Sequence, residues 1–245
     1  MVNGVSSPAH QSFGFFSGFG INPAQTLSSS TTAYVVTTVN ENSALIFSLT
    51  GVPPNMPQPT QTTVRIESMT TGPAPVNPIG SVTHNGDQVV LESIFREGVL
   101  WFTIEDGCTP AGDNTLRDCV HLSEINVSTM SVIQDFDFGT KGVYQFDPAL
   151  SVDGSGNVDV IFGYSNSTTY PSLAMASHSA SAPAGLMLPA VTLIRATTVQ
   201  GSGVIRWGDY YGASVDPSDT TAVWGVGEYG TSSNWATRIG KMTLS

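Results

Sequence analysis

The chain has 245 residues and a net charge of −11, yet only 11% of its residues are charged. Its 8 Lys and Arg are scattered among 19 Asp and Glu, so no basic cluster can neutralise phosphate, which excludes nucleic acid and disfavours anionic membranes as partners. No stretch approaches the roughly 20 apolar residues of a spanning helix, so no membrane insertion is expected, and no charged segment followed by an apolar core marks a signal peptide.

The first predicted unit is Val35–Phe47, two apolar strands joined by the turn Asn40-Glu41-Asn42. The same sequence of strand, short polar turn and strand returns around Glu97-Gly98, Asp153-Gly154 and Asp216-Pro217, at intervals of 57, 56 and 63 residues from Asn40. A period of this size indicates stacked or radially arranged units, each too small to bury its own apolar face. Pro53–Gln61 and Thr71–Pro78 are Pro-rich and predict extended connections over the surface. In the second unit, Val89–Ile104, the tight Arg96-Glu97-Gly98 connection is a hairpin signal. The third and fourth units align with each other: Phe146–Tyr164 and Asp209–Tyr229 both run Ser-Val-Asp into a polar turn and then an apolar strand. Asp and Asn bond their own backbone in such turns, while Gly supplies positive φ. With 25 Gly, 15 Pro and no amphipathic helical pattern, the chain reads as one all-β domain over 1–245. Trp101, Phe102, Phe162, Trp224 and Trp235 are expected to supply buried area between sheets.

The two cysteines, Cys108 and Cys119, flank a polar Gly/Pro/Asp loop. Two unrelated buried thiols are the alternative, but such a loop favours a disulfide, with no His-Cys set nearby for zinc, and the bridge implies an oxidising, extracellular setting. Asn126-Val127-Ser128 and Asn166-Ser167-Thr168 fit the short glycosylation acceptor pattern.

Arg206–Pro217, then Val223–Tyr229 and Asn234–Gly240, resemble the closing blades of secreted bacterial β-propeller proteins with sialidase-like architecture, which carry a WGDYS-x-x-x-VDP motif; Tyr211 stands where the motif has Ser. The resemblance implies a β-propeller or partial propeller of about four four-stranded antiparallel blades, with repeats at about 13–51, 80–130, 140–200 and 201–245. Because relatives of that kind have more blades, an oligomer or a part of a larger ring is expected ahead of a closed monomer.

Sialidase chemistry needs three converging arginines and a tyrosine polarised by a glutamate. The six arginines are Arg65, Arg96, Arg117, Arg195, Arg206 and Arg238, with Arg96 in a turn and Arg117 in the cysteine loop. Glu228 and Tyr229 are neighbours on a strand and so point to opposite faces. Glu92, Glu105, Asp106, Asp209 and Glu228 are candidate carboxylates for a two-acid glycosidase. Asp153, Asp216 and Asp219 read as turn formers, although Asp153–Asn157 faintly resembles a calcium loop. His10, His84, His121 and His178 show no metal-ligand spacing, and no nucleophile elbow is present. The aromatic group Trp207, Tyr210, Tyr211, Tyr229 and Trp235 is either the closure of the last repeat or a sugar-stacking surface. The leading expectation is therefore a secreted, non-catalytic module with no catalytic or metal residues. It binds itself, another extracellular protein or a glycan, with Trp207, Asp209, Tyr211, Tyr229 and Trp235 as the ligand-binding residues. A sialidase-like glycoside hydrolase and a lectin are the alternatives.

Overall fold

The computed structural model describes residues 9–13, 20–83 and 88–244, so His84 lies outside the described residues. Every regular element among the described residues is a strand, and no helix is long and apolar enough to cross a membrane. The first sheet contains β1 (Asn22–Pro23), and β2 (Gln25–Thr26) leaves it to pair in parallel with the second sheet. It continues with β3 (Thr32–Asn40), β4 (Ser43–Thr50) and β5 (Thr60–Arg65), in the order β1-β3-β4-β5. Two short strands follow, β6 (Val76–Asn77) and β7 (Gly80–Thr83). The second sheet is built from β8 (Val90–Arg96), β9 (Val99–Cys108), β10 (Arg117–Asn126) and β11 (Ser131–Phe138). The third is β12 (Tyr144–Val152), β13 (Val158–Asn166), β14 (Thr169–His178) and β15 (Val191–Ile194). After β16 (Gly203–Arg206), the last sheet holds β17 (Gly212–Asp216), β18 (Asp219–Gly230) and β19 (Trp235–Thr243).

All four turns anticipated from the sequence fall at the same place, between the first and second long strands of a sheet: β3/β4, β8/β9, β12/β13 and β17/β18. Glu97 and Gly98 both have positive φ, 48° and 83°, the combination that lets a two-residue turn follow the twist of its strands. Asp153 accepts the backbone N–H groups of Ser155 and Asn157, and Asp216 those of the Ser218 backbone and hydroxyl, so both serve as turn formers.

The sheets pack face to face in chain order, the arrangement of propeller blades. Tyr34, Val36, Ile46 and Val64 of the first sheet meet Phe95, Phe102 and Ile104 of the second. The second sheet's other face, with Ile94, Trp101 and Leu122, meets Leu150, Val160 and Phe162 of the third. Ile161, Leu173 and Met175 of the third sheet in turn cover Ala213 and Val223 of the last. Period-2 alternation gives each inner sheet two apolar faces, and burial of both drives the stacking.

The blades are not uniformly four-stranded. The second sheet has five strands because β2 joins it, and the last has three. The strand missing from the last sheet is β16, which pairs in parallel with β7, beside β6, to form a small separate sheet. Gly80 makes that pairing feasible, since a Cβ there would lie 1.8 Å from the Gly203 carbonyl oxygen. Trp101, Phe102 and Phe162 are buried as expected, but Trp224 and Trp235 are 41% and 58% exposed. They lie on the face of the last sheet that no further sheet covers among the described residues.

Cys108 and Cys119 are joined in a disulfide across the base of the β9/β10 hairpin, Cα atoms 5.8 Å apart. Replacing both by Ser is expected to lower unfolding stability by about 3 kcal/mol, read from denaturant midpoints. Equal midpoints for the two proteins would show that the bridge constrains nothing.

Candidate functional site

The segment between β16 and β17 folds over one end of the third and last sheets and, with the uncovered face of the last sheet, forms an open groove of about 600 Å³. Trp207, Tyr210, Tyr211, Val226, Glu228, Trp235 and Arg206 line it. Strand alternation explains the membership: Val226 pairs with Ile239 and Glu228 with Thr237, all on the outer face, while Gly225, Gly227 and Tyr229 occupy the positions facing the third sheet. Of the five residues singled out from the sequence, Trp207, Tyr211 and Trp235 meet in this groove. Asp209 sits on its shoulder, its two oxygens 2.7 and 2.5 Å from Arg206 Nη2. Tyr229 is on the opposite face of β18 and does not join them.

Each groove residue is held by a definite contact. Trp207 is only 4% exposed, and its indole N–H donates to the Tyr211 hydroxyl at 3.3 Å. That hydroxyl lies against the β13 backbone, where a Cβ on Gly163 would come within 2.7 Å of it. Burial, followed by the nearby Asp147 carboxylate, holds the Tyr211 phenol well above its ordinary range, so it stays neutral. The Glu228 carboxylate accepts the Gly208 N–H at 3.1 Å, and burial followed by Asp209 pushes its pKa up. Tyr210 and Trp235 project freely, 80% and 58% exposed.

Beneath the groove lies a chain of carboxylates that the sequence could not assemble. Glu105, Asp118 and Asp147 are 3%, 0% and 1% exposed. Asp118 hydrogen-bonds Glu105, and Glu105 accepts the Asp147 N–H at 3.0 Å. Burial first, and Glu105 second, holds the Asp118 carboxyl well above the usual carboxylate range. Asp147 lies in a bulge of β12 with φ +50°, and Gly208 passes directly over it; a Cβ on Gly208 would stand 2.1 Å from the Asp147 Oδ2. This backbone lid separates the three acids from the groove, so they brace its floor and do not face a ligand.

The arginines do not converge. Arg96 bonds the Val152 carbonyl, Arg117 pairs with Asp113 at 3.0 Å, and Arg195 bonds Thr169; Arg65 and Arg238 are exposed. Arg206 alone reaches the groove. A carboxylate-gripping arginine trio of the sialidase kind is therefore not formed. The sequence hints that could have found the rest are weak: Glu105, Asp118 and Asp147 lie in three different strands, and only the bulge at Asp147-Pro148 brings the third to the first.

No protein-family model matches the chain, and no curated protein does at significant similarity. Solved structures with similar folds include a Bacteroides ovatus protein described as xyloglucan PUL GH43B, at 9% identity and TM-score 0.46, covering 92% of this chain and 38% of that one. A Penicillium chrysogenum α-L-arabinanase solved with arabinobiose is 12% identical with TM-score 0.41, covering 86% of this chain and 71% of its own. A Dyadobacter fermentans protein of unknown function is 9% identical with TM-score 0.44, covering 92% and 64%. The chain thus spans less than two thirds of the length of the first and third of these.

Proposed function

We propose that this chain is an extracellular carbohydrate-handling β-propeller module that binds a glycan along the groove of its last sheet. The observation that carries the reading is the pairing of two freely projecting aromatic rings, Tyr210 and Trp235, with the half-buried Glu228 carboxylate in one groove. Aromatic faces stack on the apolar faces of sugar rings, and a carboxylate fixed by the Gly208 N–H keeps an oxygen for sugar hydroxyls. Asp209, already paired with Arg206, supplies a second polar edge.

Affinity electrophoresis through gels containing soluble arabinan, xylan or xyloglucan tests this. At least one polysaccharide is expected to retard the protein, and Trp235→Ala is expected to abolish the retardation while leaving the melting temperature unchanged, because that ring covers no core. Unretarded migration in all three gels would sink the reading. Release of reducing ends in the same gels would identify hydrolysis, with Glu228, whose raised pKa suits a proton donor, as the acid.

Assembly of copies is a second reading with its own observation. Val226 and Ile239 extend the groove as an aliphatic strip, 37% and 62% exposed, on a face whose counterparts in the other sheets are covered. Light scattering at several concentrations separates the two, since assembly predicts a mass that grows or locks at a fixed multiple.

A further inference from the structure

A second cluster, on the outer edge of the second sheet and away from the groove, has a donor set of its own. His121 on β10 is fully buried. Its Nε2 lies 2.9 Å from Asp135 Oδ1 and its Nδ1 3.0 Å from Asp137 Oδ1. Ser123 bonds the same Asp135 oxygen at 2.5 Å, and the Glu67 N–H bonds the other, so Asp135 cannot turn away. Three further carboxylates gather around the ring. One oxygen each of Glu67 and Asp137 lies with a His121 ring nitrogen inside a mutual distance of 4.8 Å. The third is Asp106, 1% exposed: one of its oxygens accepts the Thr70 and Gly107 N–H groups, and the other stands 4.0 Å from Nδ1, beyond hydrogen-bond range.

The geometry points to a divalent-cation site of the zinc class formed by His121, Asp137 and Glu67, with a solvent oxygen in the fourth position, Asp106 as a neighbouring charge and Asp135 as the carboxylate that orients the imidazole. Three observations carry this. First, bonds of about 2.0–2.1 Å at tetrahedral angles place ligand atoms about 3.3 Å apart, and the 3.0 Å between Nδ1 and Asp137 Oδ1 lies close to that spacing, with a Glu67 oxygen within 4.8 Å of both residues' donors. Second, the arrangement in which one imidazole nitrogen is held by a locked carboxylate while the other faces a donor set is how metal-ligating histidines are commonly oriented. Third, four carboxylates surround one imidazole, so the cluster stays negative even with that ring charged, and a cation relieves the repulsion. Mixed imidazole and carboxylate donors suit zinc better than calcium, which prefers oxygen alone.

Access fits as well. Glu67 and Asp137 line an open pocket of about 580 Å³ beside the disulfide hairpin, and Glu67 is exposed, so an ion can reach the cluster from solvent. Binding replaces the Nδ1 proton, which is released to solvent, so charge and atoms balance. The bound ion would pin the stretch after β5, which carries Glu67, onto β10 and β11, clamping the exit of the first sheet to the second.

The test uses the full chain stripped by chelator and dialysed. Calorimetric titration with Zn²⁺ is expected to show one equivalent per chain, and Co²⁺ is expected to give visible d–d absorption of a four-coordinate site. Glu67→Gln, an exposed change that should leave the fold intact by circular dichroism, is expected to weaken Zn²⁺ binding about 10-fold or more. Asp137→Asn serves as the second variant with the same expectation. Absence of binding heat, or affinity unchanged in both variants, would overturn the assignment.

Discussion

Thermal unfolding is expected to show the protein strongest near pH 4–5 and markedly weaker at pH 8, the reverse of a protein held together by surface ion pairs. The cause lies in carboxylates that the stacked sheets remove from water. Burial pushes Glu92 on β8 up to about 7, against the opposing effect of its bond to the Leu150 backbone. Burial likewise pushes Asp159 on β13 up to about 6, although the Ser177 hydroxyl donates to it. The sign follows from linkage. A carboxyl whose folded pKa lies above its unfolded value contributes its full stabilisation below the unfolded pKa, near 4, and loses it as pH rises through the folded pKa. The window is therefore pH 4 to 7 for Glu92 and pH 4 to 6 for Asp159. At about 1.36 kcal/mol per unit, each group costs on the order of 2–3 kcal/mol by pH 8. For a chain of this size the two together lower the melting temperature by on the order of 10 °C. Asp135, whose pKa the bonds to His121 and Ser123 lower despite burial, acts the other way below pH 4 and sets the acid side of the maximum. Calorimetric scans at pH 5 and pH 8 check this, and Glu92→Gln is expected to flatten the difference. A melting temperature at pH 8 equal to or above that at pH 5 would contradict it.

The division between what could and could not be read from the sequence is itself physical. The four turns were legible because a turn is local: Glu97-Gly98 and Asp153-Gly154 carry their own backbone geometry and side-chain bonds. The disulfide was legible for the same reason, both cysteines lying in one hairpin. Trp224 and Trp235 were not, because the same period-2 pattern is written on a covered and an uncovered sheet, and only the position of the last sheet leaves them exposed. β16 falls inside the repeat expected at 201–245, whereas Gly80 and Gly203 let it pair with β7 across a long sequence separation. The buried acids escaped for a similar reason. Glu105 and Asp106 appear as an ordinary acidic pair, and nothing local shows that Asp106 meets His121 while Glu105 meets Asp118. The one legible trace of the His121 cluster is the alternation His121-Leu122-Ser123 against Asp135-Phe136-Asp137, polar residues on one face of two strands whose other face is core.

That polar face is where a single substitution should have its largest effect. Burial opposes the charge of His121, but its bonds to Asp135 and Asp137 outweigh this and raise its pKa to about 10, so the ring is an imidazolium at neutral pH. In chelator, where no cation substitutes for it, His121→Leu leaves Asp135, Asp137 and Asp106 facing one another with no positive partner. Removing one side of a buried ion pair costs about 3–5 kcal/mol, a large share of the 5–15 kcal/mol typical of a folded domain. The expected outcome is a loss of that size in denaturant midpoint analysis, or failure to accumulate folded protein. The companion experiment separates lost charge pairing from lost volume. Adding Asp135→Asn and Asp137→Asn to His121→Leu removes the two stranded charges that had bonded the ring and leaves only Asp106, held by the Thr70 and Gly107 N–H groups, and because a neutral replacement of a buried pair is often tolerated, most of the stability should return. If the triple variant is as unstable as the single one, the imidazole matters for its shape, and the electrostatic account of this edge of the second sheet is wrong.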